Sequence, residues 1–322
     1  MTLPDNRRPH DSLAYGNVVF ALPDGVYALL RDLIVERTGV LFDEPKRSLL
    51  ADKLSGLVTS NGLTSLLDYY YLLRYDDPVG EHLAALMDRL AVPETFFWRQ
   101  SDQLQAIADF VAPAHFMRHP DRPLRIWSAA CCTGEEPVSV AIALAETGQL
   151  QPRAVEIVAT DGSRAMVERA RRGEYGERSF RQLPDKLKER YFERHGDRWR
   201  PIEQLRRAIR WDIANLARPS DVRRFAGADV ILCRNVFIYF ADDAIREVVR
   251  VIHATMPPDG FLFLGAAESL TRLGVDLQLA EIGSAFAYVK PRPVSHVERK
   301  PAAASSTSTV AEVPATSREW RV

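Results

Sequence analysis

Two kinds of hydrophobic pattern divide the chain. Between about residues 20 and 90, Leu49, Leu50, Leu54, Leu57 and Val58 recur at helical spacing, with Lys46 and Lys53 on the more polar side. A second helical segment, TSLLDYYYLLRY, opens on Thr64 as a candidate cap and is apolar nearly all round. Asp76-Asp77-Pro78 then forms a turn, and three or four helices are expected in all. From about residue 120 the period changes. LRIWSA (124–129), AVEIVAT (154–160), ADVILC (228–233) and FLFLG (261–265) are short apolar runs of strand length. Helical patterns follow at 136–147, 163–172 and 242–255. Alternation of this kind predicts a parallel sheet covered by helices on both faces.

Further expectations concern the edges of that sheet. The stretch RWRPIEQLRRAIRWDI has short alternating segments, read as a small antiparallel insertion at about 195–213. AFAYVK (285–290) reads as an edge strand. Residues 292–322 are rich in Ala, Ser, Thr and Pro without apolar period, which describes a flexible tail; its terminal REWRV carries Trp320 as a candidate docking residue. The expected organisation is a helical domain at 18–90, a linker helix and the start of the catalytic region at 91–120, and an α/β domain at 121–291.

Composition narrows the class. A chain that is 46% hydrophobic and 26% charged is ordinary for a globular protein. No apolar run approaches a membrane span, and the first residues lack the apolar core of a signal peptide, so a cytoplasmic protein is expected. Cys131, Cys132 and Cys233 show no metal-ligand or disulfide spacing and read as small, reduced side chains. Charge is uneven: Arg171–Arg224 holds sixteen Lys and Arg against nine Asp and Glu, a net of +7, whereas Phe20–Leu90 is net −4. The basic stretch suits an acidic partner; no nucleic-acid motif accompanies it.

The chemistry concentrates at SAACCTGEEPVS (128–139), where a strand meets a glycine turn and a helix. Such turns often cradle phosphate, which wants bare backbone amides. Glu135 and Glu136 would repel phosphate and suit a cation instead. S-adenosylmethionine (SAM), with a sulfonium, an amino group and a ribose diol, fits that demand. Asp161, closing the next strand, stands where such folds place a ribose-binding acid. Acids in a helix's first turn are also favoured by the helix dipole alone; Asp161 tips the reading toward SAM.

ETFFWR, RIWSAACCTGEEPVSVAIAL, VATDGS and CRNVFIYF, in that order, resemble the CheR family of chemotaxis-receptor methyltransferases, over residues 20 to 290. The resemblance implies a Rossmann-like SAM-dependent methyltransferase domain with a small β-subdomain, preceded by an all-α domain. It implies an enzyme that transfers methyl from SAM to glutamate side chains of chemoreceptors, leaving glutamyl methyl esters and S-adenosylhomocysteine (SAH). The implied partner is the receptor's cytoplasmic domain, met by a monomer without nucleic acid, membrane insertion or metal. Carried over by position, Thr95, Arg99, Glu136, Asp161, Asn215, Leu216, Arg234 and Asn235 would bind the cofactor. Arg99 and Tyr239 would hold the acceptor carboxylate, while Phe96, Phe97 and Trp98 would pack the domain junction.

The chain departs from the family pattern at Pro93, which replaces an Asn and removes both an amide side chain and a backbone N–H. Ala266 and Ala267 precede the glutamate of GAAESL where relatives often carry His-Ser, and the helix starting near Lys46 has few basic residues after Leu54. These departures motivate two alternatives: a SAM- or SAH-binding regulator with impaired catalysis, or the same fold acting on another substrate.

Overall fold

The computed structural model describes residues 19–151 and 154–291. The expected tail at 292–322, with Trp320, lies outside the described residues. The described residues separate into two units, 19–33 with 42–90, and 34–41 with those from 91 to 291.

The first unit is built from helices α1 (Asp24–Thr38, whose last turn belongs to the second unit), α2 (Arg47–Ser60), α3 (Leu66–Tyr75) and α4 (Glu81–Leu90). Leu50, Leu54 and Val58 bury one face of α2, as their spacing predicts, but Leu49 is exposed. The cap of α3 is Ser65, which accepts from the Asp68 N–H, rather than the expected Thr64, whose hydroxyl instead reaches the Asp68 carboxylate. The Asp77 carboxylate caps α4 by accepting from the N–H groups of His82 and Leu83. Lys53 and Arg89 each donate to the other's carbonyl, tying α2 to α4.

The second unit contains a seven-stranded sheet. After α5 (Ser101–Ala106), a π-helical turn (Ile107–Val111) and α6 (Ala112–Arg118) come β1 (Leu124–Ala129), α7 (Glu135–Glu146), β2 (Val155–Asp161) and α8 (Arg164–Arg172). Then follow α9 (Asp185–Tyr191), β3 (Phe192–His195), β4 (Arg198–Pro201), α10 (Glu203–Arg207), β5 (Ile209–Ile213) and α11 (Pro219–Phe225). The chain finishes with β6 (Val230–Cys233), α12 (Asp242–Thr255), β7 (Phe261–Leu264), β8 (Gln278–Ile282) and β9 (Ala285–Val289). The order is β5-β2-β1-β6-β7-β9-β8, parallel except where β9 joins.

Strand alternation produces two cores. Leu124 and Ile126 of β1, Val230 and Leu232 of β6, and Phe263 of β7 enter one, against α5 to α7. Trp127, Ala129, Ile231, Cys233, Leu262 and Leu264 enter the other, against α11 and α12. Both faces are covered, which is why these strands read as continuous apolar runs.

Two edge expectations need correction. The antiparallel insertion is only the β3–β4 hairpin, joined by Tyr175 bridging Trp199. Residues 209–213 instead pair in parallel with β2, from Ile157 opposite Ile209 to Asp161 opposite Ile213, and form an edge of the main sheet. AFAYVK is not an edge: β9 lies between β7 and β8, and β8 is the outer strand. Its sequence, QLAEI, is too short and polar to stand out, but the left-handed Gly283 turn folds it antiparallel onto β9.

Candidate active site

Strand order reverses between β1 and β6: the chain moves outward through β2 and β5, then returns to β6 on the opposite side of β1. Open α/β sheets bind ligands at the carboxyl ends of strands flanking such a reversal. The loops leaving β1, β2, β6 and β7 carry or adjoin most of the predicted site residues. All five non-glycine residues with positive φ among the described residues, Trp98, Gln100, Ala130, Cys132 and Asn235, lie after β1, after β6 or in the 91–100 segment. Backbone held in this region stores strain and is concentrated at functional sites.

The glycine turn is pinned from β2. The Cys131 N–H donates to the Thr160 carbonyl and the Cys132 N–H to Asp161 Oδ2, both within 2.9 Å. Asp161 Oδ1 also accepts from the Ser163 N–H at 2.8 Å. This carboxylate thus shapes the turn from the carboxyl end of β2. Gly134 is left-handed at φ 97°, and a Cβ there would come within 2.7 Å of the Trp211 ring and 2.9 Å of the Tyr175 hydroxyl. Cys131 and Cys233 are buried and Cys132 partly so, with burial pushing the Cys132 thiol up to about 12.

The two adjacent glutamates diverge, because successive helical residues are about 100° apart. Glu135, only 3% exposed, accepts from Thr133 Oγ1 at 2.6 Å and Ser179 Oγ at 3.0 Å. It ties the turn to the segment before α9 and does not join the charged group built around its neighbour. Glu136 points back over β1, where Ser128 Oγ donates to its Oε1 at 2.6 Å and Arg234 Nη1 lies 3.4 Å from its Oε2. Burial raises the pKa of both carboxyls; for Glu136 the Arg234 charge and the Ser128 hydroxyl partly oppose that rise.

Arg234 follows β6, and its side chain is 2% exposed. Its Nε and Nη2 donate to Gln100 Oε1 at 3.1 and 2.9 Å, and Nη2 also donates to the Arg99 carbonyl. Burial lowers its pKa while Glu136 supports its charge. Arg99 is half-buried, donates to the Glu94 carbonyl at 3.1 Å and adds its charge to the field at Glu136. Ser128 and Gln100 are thus parts of this site that motif reading passed over. A serine within a strand and a glutamine after ETFFWR carry no spacing signal of their own.

The remaining predicted residues fall into two groups. Among the described residues, the Asn235 carboxamide and the Thr95 hydroxyl have no hydrogen-bond partner, and both residues are half-buried. Tyr239 is 36% exposed, and its carbonyl accepts from the Leu41 N–H at 2.8 Å. Asn215, in contrast, has both ends of its carboxamide engaged: Nδ2 donates to the Arg37 carbonyl at 2.7 Å and Oδ1 accepts from the Ala217 N–H at 2.9 Å. Leu216 is buried in the second core. Phe97 does not face outward from this unit; it is fully buried in an aromatic cluster with Tyr175, Phe180 and Phe192, centroids 4.7–5.0 Å apart.

A buried carboxylate with an elevated pKa, a second carboxylate at the end of β2, and two polar side chains left unpaired form a donor set that suits a ligand both cationic and polar. No group of acidic, His or Cys residues able to hold a metal occurs among the described residues. A doubly wound sheet with this site at its reversal point defines an α/β enzyme that takes a positively charged cofactor.

Comparison with known proteins makes the class specific. The family described as CheR methyltransferase, SAM binding domain, matches residues 93–285, and the CheR all-alpha domain matches residues 26–91. Chemotaxis protein methyltransferase 2 of Vibrio cholerae is 30% identical, covering 84% of this chain and 94% of its own. The chemotaxis protein methyltransferase of Escherichia coli is 32% identical over 79% of this chain and 87% of its own. The probable biofilm formation methyltransferase WspC of Pseudomonas aeruginosa is 36% identical over 62% of this chain and 47% of its own. The chain belongs to the CheR methyltransferase family and is a SAM-dependent methyltransferase. No helix among the described residues is long and apolar enough to cross a membrane.

Proposed function

We propose that the protein methylates glutamate side chains on the cytoplasmic domain of chemoreceptors, acting as a cytoplasmic monomer. The Glu136–Arg234 pair at the sheet's reversal point carries this reading, together with relatives named chemotaxis protein methyltransferases. Glu136, Asp161, Asn235 and Thr95 would hold SAM, and Arg234 keeps Glu136 oriented and partly charged inside the protein. Asn215 would act through the backbone it braces. When bound, SAM supplies an electrophilic methyl on a positively charged sulfur.

A glutamate acceptor is already ionised near neutral pH and needs no general base. The protein's task is to orient it and strip part of its water. Arg99 and Tyr239 are assigned to that orientation. Too strong a grip by Arg99 would lower the acceptor's nucleophilicity, so its role is placement rather than proton transfer. Incubation with radiolabelled SAM and receptor fragments from the same cell should label the receptor with methyl released by mild alkali. Alkali-stable label would overturn the ester assignment. Arg99→Ala is expected to lower turnover more than SAM affinity; equal losses would remove its orienting role.

The raised Glu136 pKa gives a pH prediction. A carboxyl raised above its ordinary 4.5 binds a proton in the folded protein at a pH where the unfolded chain does not. Through that window, stability of the unliganded protein falls as pH rises, whereas affinity for a cation falls as pH drops. SAM binding measured by calorimetry should therefore weaken on acidification before ordinary carboxylates titrate. Glu136→Gln should bind SAM weakly at neutral pH and lose that pH dependence; an unchanged profile would exclude Glu136 as the responsible group.

A further inference from the structure

The loop leaving β7 reads Gly265-Ala266-Ala267-Glu268. Glu268 sits about thirty residues beyond the segment after β6, yet its carboxylate is wholly committed to it and to its own turn. Oε2 accepts from the N–H groups of Asn235 at 2.7 Å and Gly265 at 2.6 Å; Oε1 accepts from Phe237 at 2.7 Å and Ile238 at 3.3 Å. An ionised carboxylate is an acceptor-only group with about four lone-pair sites, and here four donors use them. No neutral side chain of this size offers the same set.

What these bonds hold is the part of the site that bends most. Asn235 is left-handed at φ 59°, and residues 237–239 form a short 3-10 turn ending at Tyr239. Neither conformation is self-sustaining in a segment of five residues. Gly265 belongs to the same arrangement: a Cβ there would lie 2.5 Å from Asn235 Nδ2 and 2.7 Å from Glu268 Oε2. The Asn235 carboxamide therefore rests across the bare face of Gly265, where it keeps its hydrogen-bonding capacity for a ligand. Arg234, one residue earlier, is fixed independently by Gln100, the Arg99 carbonyl and Glu136.

We infer that Glu268 is a positioning residue for methyl transfer: it anchors the Asn235–Tyr239 segment by its backbone and so sets the acceptor-facing turn, without itself binding the cofactor. This rests on the methyltransferase reading above and adds the residue that shapes its acceptor side. Of the residues assigned to SAM only Asn235 is fastened by Glu268, while Glu136, Asp161 and Arg234 keep their own contacts, so its loss should cost turnover more than cofactor affinity. In Glu268→Gln the amide nitrogen would face backbone N–H groups, leaving at least one donor unpaired.

The test compares wild type, Glu268→Gln and Gly265→Ala as full chains. Glu268→Gln should lower kcat about tenfold or more while the calorimetric Kd for SAH changes less than about threefold, as expected for losing hydrogen bonds to a charged group. Amide hydrogen exchange in the 234–240 peptide should accelerate about tenfold or more in the same variant. Gly265→Ala should accelerate exchange in that peptide too, because its Cβ displaces both partners. Equal loss of turnover and SAH affinity, or wild-type exchange at 234–240, would overturn the proposal. If Glu268→Gln does not fold, Glu268→Asp, which keeps two oxygens but falls short by one methylene, must show the same split. A wild-type protein that methylates no receptor would sink the substrate assignment, while the exchange measurement still decides whether Glu268 holds the segment.

Discussion

Replacing Arg234 with methionine should produce the largest loss of any single change at the site. The guanidinium is 2% exposed and joins Gln100, the Arg99 backbone and Glu136, so its removal unfastens the 91–100 segment from the β6 loop. Glu136 would be left buried with only Ser128 as a partner. Breaking a buried pair by deleting one member costs about 3–5 kcal/mol. For a domain of this size that corresponds to a melting point lower by about 10 °C. SAH binding should fall below detection, since its pocket loses both charge balance and shape. Arg234→Lys keeps the charge but not the fork that reaches Gln100 and the Arg99 carbonyl together, and should recover only part of the stability. A methionine variant that melts within about 2 °C of wild type and binds SAH normally would contradict this account.

Gly134→Ala is the second. The residue is left-handed, which costs an alanine roughly 1–2 kcal/mol. The new methyl would also press on Trp211, the Tyr175 hydroxyl and Ala170 Cβ at 2.7, 2.9 and 3.1 Å. Overpacking of that kind adds about 1–3 kcal/mol. Tyr175 cannot simply swing aside, because its hydroxyl donates to the Thr133 carbonyl inside the same turn. A fall in melting temperature of about 5–15 °C and a marked loss of SAM affinity are expected together. Gly227→Ala is the control: nothing lies within 4 Å of its Cβ position, and it should behave like wild type. Similar behaviour of the two variants in a thermal melt would show that the turn is more yielding than its contacts imply.

The parts of the fold that could be read from sequence are those buried on both faces. β1, β6 and β7 are nearly continuous apolar runs because a doubly covered sheet leaves no polar side. β8 and β5 were misread or passed over because edge strands such as QLAEI and IRWDI keep charged residues, and only pairing partners reveal their sheet. The same distinction runs through the site. Glu136 and Asp161 were legible because a carboxylate at a strand-to-helix turn contradicts phosphate binding. That Glu135 turns away toward Ser179 follows from helical rotation, but its partner is 44 residues distant and has no motif. Glu268 was visible only as a letter in GAAESL, since four backbone N–H groups leave no mark on residue identity.

The residues at 34–41 count with the catalytic unit although the helical unit flanks them in sequence. The Arg37 carbonyl is the acceptor for Asn215, Leu41 and Tyr239 share a backbone bond, and the Ala241 N–H reaches the Gly39 carbonyl. Gly39 itself must be glycine, because a Cβ would overlap the Phe240 ring at 2.5 Å. The catalytic half is therefore not a cassette that recombination could lift out at residue 91. A gene fusion cut there would deliver a catalytic unit whose Asn215 and Tyr239 had lost their backbone partners at Arg37 and Leu41.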